Sequence, residues 1–303
     1  MASLWRFGGL KVQRLVTLVV RKVGKDELSI RSGALSYYFF LSLFPMILFL
    51  VSLAGIFAGQ GTQLREHIIS GLRNLAPGSA SDLVSRVVAR TINSSSPFKL
   101  AIGLVGALWA ASNGMSAIAA SLNVVHEKHE SRPWWKQGLT VVALTMALGA
   151  LLVVALILVL YGGKLGQVIT GGSALGGVFR GAWDVAHWAI SLAAMFLAYS
   201  LVYYYAPDVK ERKWHWITPG AAVGIALWML ASYGFRVYLH FFNSYSATYG
   251  SLGAVIILML WLYITGFALL IGDVLNWVIE SENQKRADLQ GEHAQVQQKL
   301  SAA

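Results

Sequence analysis

Tyr249–Glu280 reads YGSLGAVIILMLWLYITGFALLIGDVLNWVIE, and the reading of this stretch decides the fold. From Gly250 to Gly272 there are 23 residues without Asp, Glu, Lys, Arg or His. At about 1.5 Å per residue, a helix of that length covers roughly 34 Å, enough to cross the hydrocarbon core of a bilayer. Ile256–Trp261 is apolar on every face, whereas a helix packed on a water-facing core would carry a polar stripe. The run stops at Asp273. Asn276 lies three positions further on, so a carboxylate and an amide share one helix face.

The rest of the chain has the same character. Hydrophobic residues make up 56% of the 303 and charged residues 13%, far below the roughly 25% charged residues of soluble domains. The sequence therefore describes an all-α, polytopic membrane protein. It contains no cysteine, which excludes disulfides, thiolate nucleophiles and cysteine-ligated metal sites. The net charge of +10 comes from Lys and Arg scattered over short segments. A membrane chain gathers such residues for topological reasons, so no nucleic-acid partner is expected.

Residues 1–32 form a basic, amphipathic segment expected to lie on the membrane surface. Val12, Leu15, Val16, Val19, Val20 and Val23 project to one side and Lys11, Arg14, Arg21, Lys22 and Lys25 to the other, with Leu10 and Leu18 on the basic side. A signal peptide is not expected, because Lys11 and Arg14 would fall inside its apolar region. Residues 33–280 hold six expected spans, beginning with the charge-free stretch 33–57. Pro45 near its middle removes one backbone hydrogen bond and is the candidate structural hinge. Residues 58–97 carry two amphipathic faces, Leu64, Ile68, Leu72 and Leu75, then Leu83, Val84, Val87 and Val88, which predict a helical hairpin capping the bundle.

The second span, 98–125, contains Ser112, Asn113, Ser116, Ser121 and Asn123. Gly106, Ala110 and Gly114 recur every four residues, the spacing that lets helices approach closely in lipid, so this span is placed in the bundle interior. Spans follow at 139–161, 183–205, 217–239 and 250–272, with a glycine-rich loop expected over 162–177 and a polar tail, frayed or a short surface helix, over 281–303. The N-terminal segment, the loops 126–138 and 205–216, and the tail carry 16 Lys and Arg, against 8 in the alternate segments. Both termini are therefore expected in the cytoplasm, with the hairpin 58–97 outside.

Several segments together resemble the YihY/BrkB family of bacterial inner-membrane proteins, once labelled ribonuclease BN: GALSYYFFLSLFPMILFL (33–50), SLNVVHE (121–127), YYYAPD (203–208), TPGA (218–221) and YGSLGAVIILMLWLY (249–263). The resemblance implies a six-helix protein of the inner membrane with no established catalytic residue. The old label, and looser links with envelope integrity and lipid export, point in different directions. Family members often read glycine, alanine, glutamate where this chain has Gly272, Asp273 and Val274. The acid has moved by one position, about 100° around the helix.

A metal-dependent nuclease needs clustered His, Asp or Glu ligands. His126 and His129 in HEKHE are the one close pair, and they read as an ordinary charged exit from a span. No P-loop or nucleophile elbow occurs, so no enzyme activity, cofactor or metal is expected. Asp273 is the prime suspect as an ionisable group within a span, with water expected to reach it at its helix end. Arg236 is the candidate anion site, or else a snorkelling side chain beside Tyr233 and Tyr238. Asn113 and Asn123 are candidate substrate ligands, or interhelical hydrogen-bond partners.

Two functions fit. One is a transporter or flippase-like protein for a lipid or other amphipathic anion, with Asp273 and Asn276 inside and Arg236 outside. The other is a membrane scaffold binding envelope proteins or a second copy of itself. A continuous polar cavity joining Asn113, Asn123, Asp273 and Arg236 marks the transporter, and a scaffold is packed shut there. No inverted repeat is evident, which counts against transport.

Overall fold

The computed structural model describes residues 10–58, 97–170, 176–209, 214–241 and 245–301, and among them every regular element is a helix. These are α1 (Val12–Lys25), α2 (Leu28–Ala58), α3 (Pro97–Val125), α4 (Trp134–Thr170), α5 (Gly176–Tyr205), α6 (Pro219–Phe241) and α7 (Tyr245–Ser301). Each of the six expected spans falls on one of α2–α7. Among the described residues, four segments are long and apolar enough to cross a membrane: Trp134–Ala155, Ala186–Tyr205, Pro219–Tyr238 and Val255–His293. The expected hairpin falls, over 59–96, outside the described residues.

Two expectations are corrected. The glycine-rich stretch after residue 161 is helical as far as Thr170, and α5 begins at Gly176. An unpaired backbone group in lipid costs several kcal/mol, more than the roughly 1 kcal/mol a helix loses at each glycine. The tail is neither frayed nor separate, because α7 runs without a break from Tyr245 to Ser301. Its polar part is rich in Glu, Gln, Lys, Arg and Ala, and extending a formed helix avoids the cost of nucleation. Local pairs add to it: Gln284 donates to Asp288 at 3.1 Å and Lys285 meets Glu282 at 2.9 Å.

The helices pack as neighbouring pairs. α2 lies along α3 and α7, α4 along α5, and α6 along α7, while α3 also touches α4 and α7. Lipid offers no hydrophobic drive for this, so close fit decides the contacts. Gly114 of α3 meets Ser42 and Phe39 of α2, and Gly266 of α7 meets Leu35, whereas Gly106 has nothing near it. The predicted small-residue stripe thus acts at Gly114 alone of its two glycines. A reciprocal tryptophan lock joins α6 to α7: Trp228 Nε1 donates to Thr265 Oγ1 at 3.1 Å and Trp261 Nε1 to Ser232 Oγ at 3.4 Å. α2 is one helix through Pro45.

The apolar face of α1 is divided. Leu15, Leu18, Val19 and Val23 pack on the bundle, chiefly on α7, while Val12, Val16 and Val20 face outward with 70%, 54% and 64% exposure. Leu18, expected on the basic side, joins the packed face. α1, the α3–α4 connection, the segment before α6 and the part of α7 that follows Asp273 all meet at one end of the bundle.

Candidate functional site

The C-terminal turn of α3 is the hub of that end. SLNVVHE closes the helix with its last carbonyls answered: the Glu127 N–H donates to the Val124 carbonyl at 2.9 Å and the Lys128 N–H to the Asn123 carbonyl at 2.8 Å. This closure needs a left-handed residue, usually glycine, just past the helix. Glu127 takes that place with φ 54°, at a cost of roughly 1–2 kcal/mol for a residue with a Cβ. The tight stop projects Asn123, His126 and Glu127 in three directions, each into a different polar cluster.

His126 points inward. Its Nε2 lies 2.8 Å from Oδ2 of Asp273, with the imidazole nearly and the carboxylate wholly removed from solvent. A contact of this length needs one proton between nitrogen and oxygen. Asp273 therefore does not meet water at its helix end, and His126 does not belong to a solvated loop. Both expectations are corrected for one reason: α3 and α7 cross at this level, and each side chain fills the space opposite the other. His129 is exposed, so the two histidines diverge. Among the described residues no three His, Asp or Glu side chains gather to hold a metal ion.

Asn276, one turn beyond Asp273, is also buried. Its Oδ1 accepts the Gly220 N–H at 2.8 Å and its Nδ2 donates to Thr218 Oγ1 at 3.1 Å. Thr218 itself caps α6, accepting the Ala221 N–H at 3.0 Å. TPGA thus reads as cap, proline at the first helical position and glycine for close approach. That approach is extreme: a Cβ on Gly220 would overlap the Gly272 carbonyl, and one on Gly272 would overlap the Tyr203 hydroxyl. Tyr203 in turn donates to the Leu269 carbonyl at 2.7 Å.

Asn123 leads to the second cluster. Its Nδ2 donates to Glu130 Oε2 at 3.0 Å and its Oδ1 accepts the Asp208 N–H at 2.7 Å. Arg132 grips Glu130 through two nitrogens at 2.7 Å each and donates to the Ala206 carbonyl at 2.9 Å. The guanidinium, with help from Asn123, lowers the Glu130 pKa against the opposing effect of burial. This cluster ties the α3–α4 connection to the end of α5, through the YYYAPD segment.

Glu127 leads to the third cluster. Lys25 and Lys22 reach its Oε1 at 2.7 and 3.0 Å, and they lower its pKa to about 2. Lys22, only 5% exposed, also lies 3.1 Å from Asp26 and 3.8 Å above the Trp277 ring. Burial raises the Asp26 pKa, opposed by Lys22. This cluster fastens α1 to α3 and α7.

The remaining candidates lie apart from these clusters. Asn113 is exposed, on the face of α3 that also presents Val105 and Trp109 outward. Arg236 is exposed on α6 near Tyr233 and Tyr238. Asp273 and Asn276 are buried on α7 and Asn123 is buried in the second cluster, whereas Asn113 and Arg236 both face outward. His126 is the site residue the sequence reading missed. The signal available was Ala119, Leu122 and His126, one face at helical spacing that continues past the charged letters of HEKHE.

A family model described as virulence factor BrkB matches residues 19–297. The ribonuclease-like protein YfkH of Bacillus subtilis is 32% identical over 254 residues, covering 84% of this chain and 90% of that protein. A UPF0761 membrane protein of Photobacterium profundum is 29% identical over 268 residues, 85% of this chain and 78% of that protein. Another, from Aliivibrio salmonicida, is 31% identical over 258 residues, 83% and 78% of the two chains. No solved structure matches. The match begins within α1 and runs through all three clusters into the polar end of α7, and the chain belongs to the virulence factor BrkB family of membrane proteins.

Proposed function

We propose that this protein is a non-enzymatic transporter, flippase-like in handling a lipid or other amphipathic anion, captured with one end closed. The observation that supports this reading is the buried His126–Asp273 contact between α3 and α7. Apolar side chains of similar size would hold two helices together at least as well, because desolvating an ionisable pair offsets most of its attraction. Such a pair is better suited to an interface that opens and re-forms, and ionisable groups within spans mark transport paths by default. The closed end carries α1 and the α3–α4 connection, and by its surplus of basic residues it faces the cytoplasm of a bacterial inner membrane, with both termini on that side.

A scaffold is the second reading, favoured by the full burial of Asp273 and Asn276. On that reading the end is closed permanently and the partners are envelope proteins or a second copy of the chain.

Lipid movement in proteoliposomes tests the proposal. Headgroup-labelled phospholipids and a lipid A precursor are followed for the wild type, Asp273→Asn and His126→Gln. Transport by the wild type that is lost in folded variants supports the reading. No movement above empty liposomes for any of these lipids shifts it to the scaffold.

A further inference from the structure

A groove of about 180 Å³ runs between α1 and the part of α7 that follows Asn276. Leu18, Trp277 and Val278 form its apolar part and Arg21, Lys22, Lys25 and Lys285 its basic part, with Ser281 and one carboxylate, Glu282, completing the lining. The carboxylates in contact with these cations are Asp26, Glu127 and Glu282. Four cations face three carboxylates. Lys22, Lys25 and Lys285 each have an acidic partner, whereas Arg21, exposed at the rim, has none within 4 Å among the described residues.

We infer that this groove holds the phosphate of an anionic phospholipid, with Arg21 as the principal ligand. A phosphodiester carries one negative charge, which matches the surplus, and a guanidinium grips two of its oxygens at once. Depth selects a lipid over a soluble anion. Trp277 lies one turn past Asp273, where the apolar run of α7 ends, the level at which aromatic side chains meet lipid head groups. Beside the groove, Val12, Val16 and Val20 present an apolar stripe outward from α1, a surface suited to the upper part of acyl chains. Basic pockets at this depth are where acidic head groups settle. The site is separate from the His126–Asp273 junction and does not rest on the transport reading.

The test is lipid retention by the full-length protein in detergent micelles, measured by native mass spectrometry after addition of phosphatidylglycerol or phosphatidylcholine. The variant is Arg21→Gln/Lys285→Gln, which leaves the Lys22 and Lys25 contacts with Glu127 in place. The control, Lys11→Gln/Lys136→Gln, removes the same charge from exposed positions outside the groove. The expected result is retention of phosphatidylglycerol over phosphatidylcholine, reduced about tenfold or more in the groove variant, at roughly fivefold per basic side chain, and unchanged in the control. Millimolar glycerol 3-phosphate should not displace the lipid. Equal loss in the control, no preference in the wild type, or displacement by glycerol 3-phosphate would overturn the assignment.

Discussion

The imidazole of His126 and the carboxylate of Asp273 meet at 2.8 Å across 147 residues of sequence, sealed from solvent where α3 crosses α7. Removing one partner strands the other in a buried site, so His126→Leu or Asp273→Leu alone should destabilise the protein by about 3 kcal/mol or more. The double variant should lose clearly less than the two singles together, by about 1–3 kcal/mol of coupling. Thermal unfolding of the four proteins in detergent measures it, and additive losses would show that the contact is not formed.

Glycine positions should separate sharply by their surroundings. Gly220→Ala and Gly272→Ala each drive a methyl group into a neighbouring backbone carbonyl or the Tyr203 hydroxyl, so folded yield should collapse. Gly106→Ala meets open space and should be neutral or stabilising by up to about 1 kcal/mol, because it only restricts the unfolded chain. Detergent-extracted monomer, quantified by size exclusion for each variant, reads the contrast.

Acid should loosen the attachment of α1. The Glu127 pKa stands at about 2 against an ordinary 4.5, so its contribution is complete above about pH 4.5 and fades as pH falls towards 2. Glu127 is half-exposed, and solvent screening keeps the effect to about 1 kcal/mol or less. Glu127→Gln should flatten the stability profile between pH 5 and 3. Glu127→Gly loses the same ion pairs but relieves the left-handed backbone, and should melt above Glu127→Gln by the equivalent of about 1 kcal/mol.

Arg132 should not tolerate lysine. Its fork engages both oxygens of Glu130 and the Ala206 carbonyl together, a geometry an ammonium cannot reproduce. Arg132→Lys should lower stability by about 1–2 kcal/mol and speed proteolysis in the 126–133 connection. Limited digestion of the detergent-solubilised protein reports both the rate and the place of cleavage.

How far the sequence revealed this arrangement depends on the range of each signal. The apolar helices were legible because lipid forbids charge over a bilayer's thickness, a constraint written locally in stretches such as 250–272. Asp273 stood out because it ends such a run, and Asn276 followed from helical spacing. The partner of Asp273 was not legible, because its position depends on how α3 and α7 cross, and HEKHE looks like a solvated exit. Asn113 and Asn123 looked equivalent as letters, yet one faces outward and the other into the junction. α3 carries polar residues on more than one side, among them Ser112, Asn113 and Ser116, so their pattern does not fix its rotation. The continuation of α7 to Ser301 was legible in its helix-forming composition but was masked by the loss of hydrophobicity.

Opening of the end closed by His126 and Asp273 can be measured without knowledge of the substrate. The chain has no native cysteine, so Ser121→Cys places a single thiol at a buried position on α3 beside the junction. Its labelling by a membrane-impermeant maleimide is timed in inside-out vesicles, alone and combined with Asp273→Asn. If the end opens, labelling proceeds steadily and Asp273→Asn accelerates it about tenfold, as expected when roughly 1.4 kcal/mol of closing free energy is removed. A thiol that reacts only after denaturation, in both backgrounds, would contradict it and leave a permanently packed scaffold.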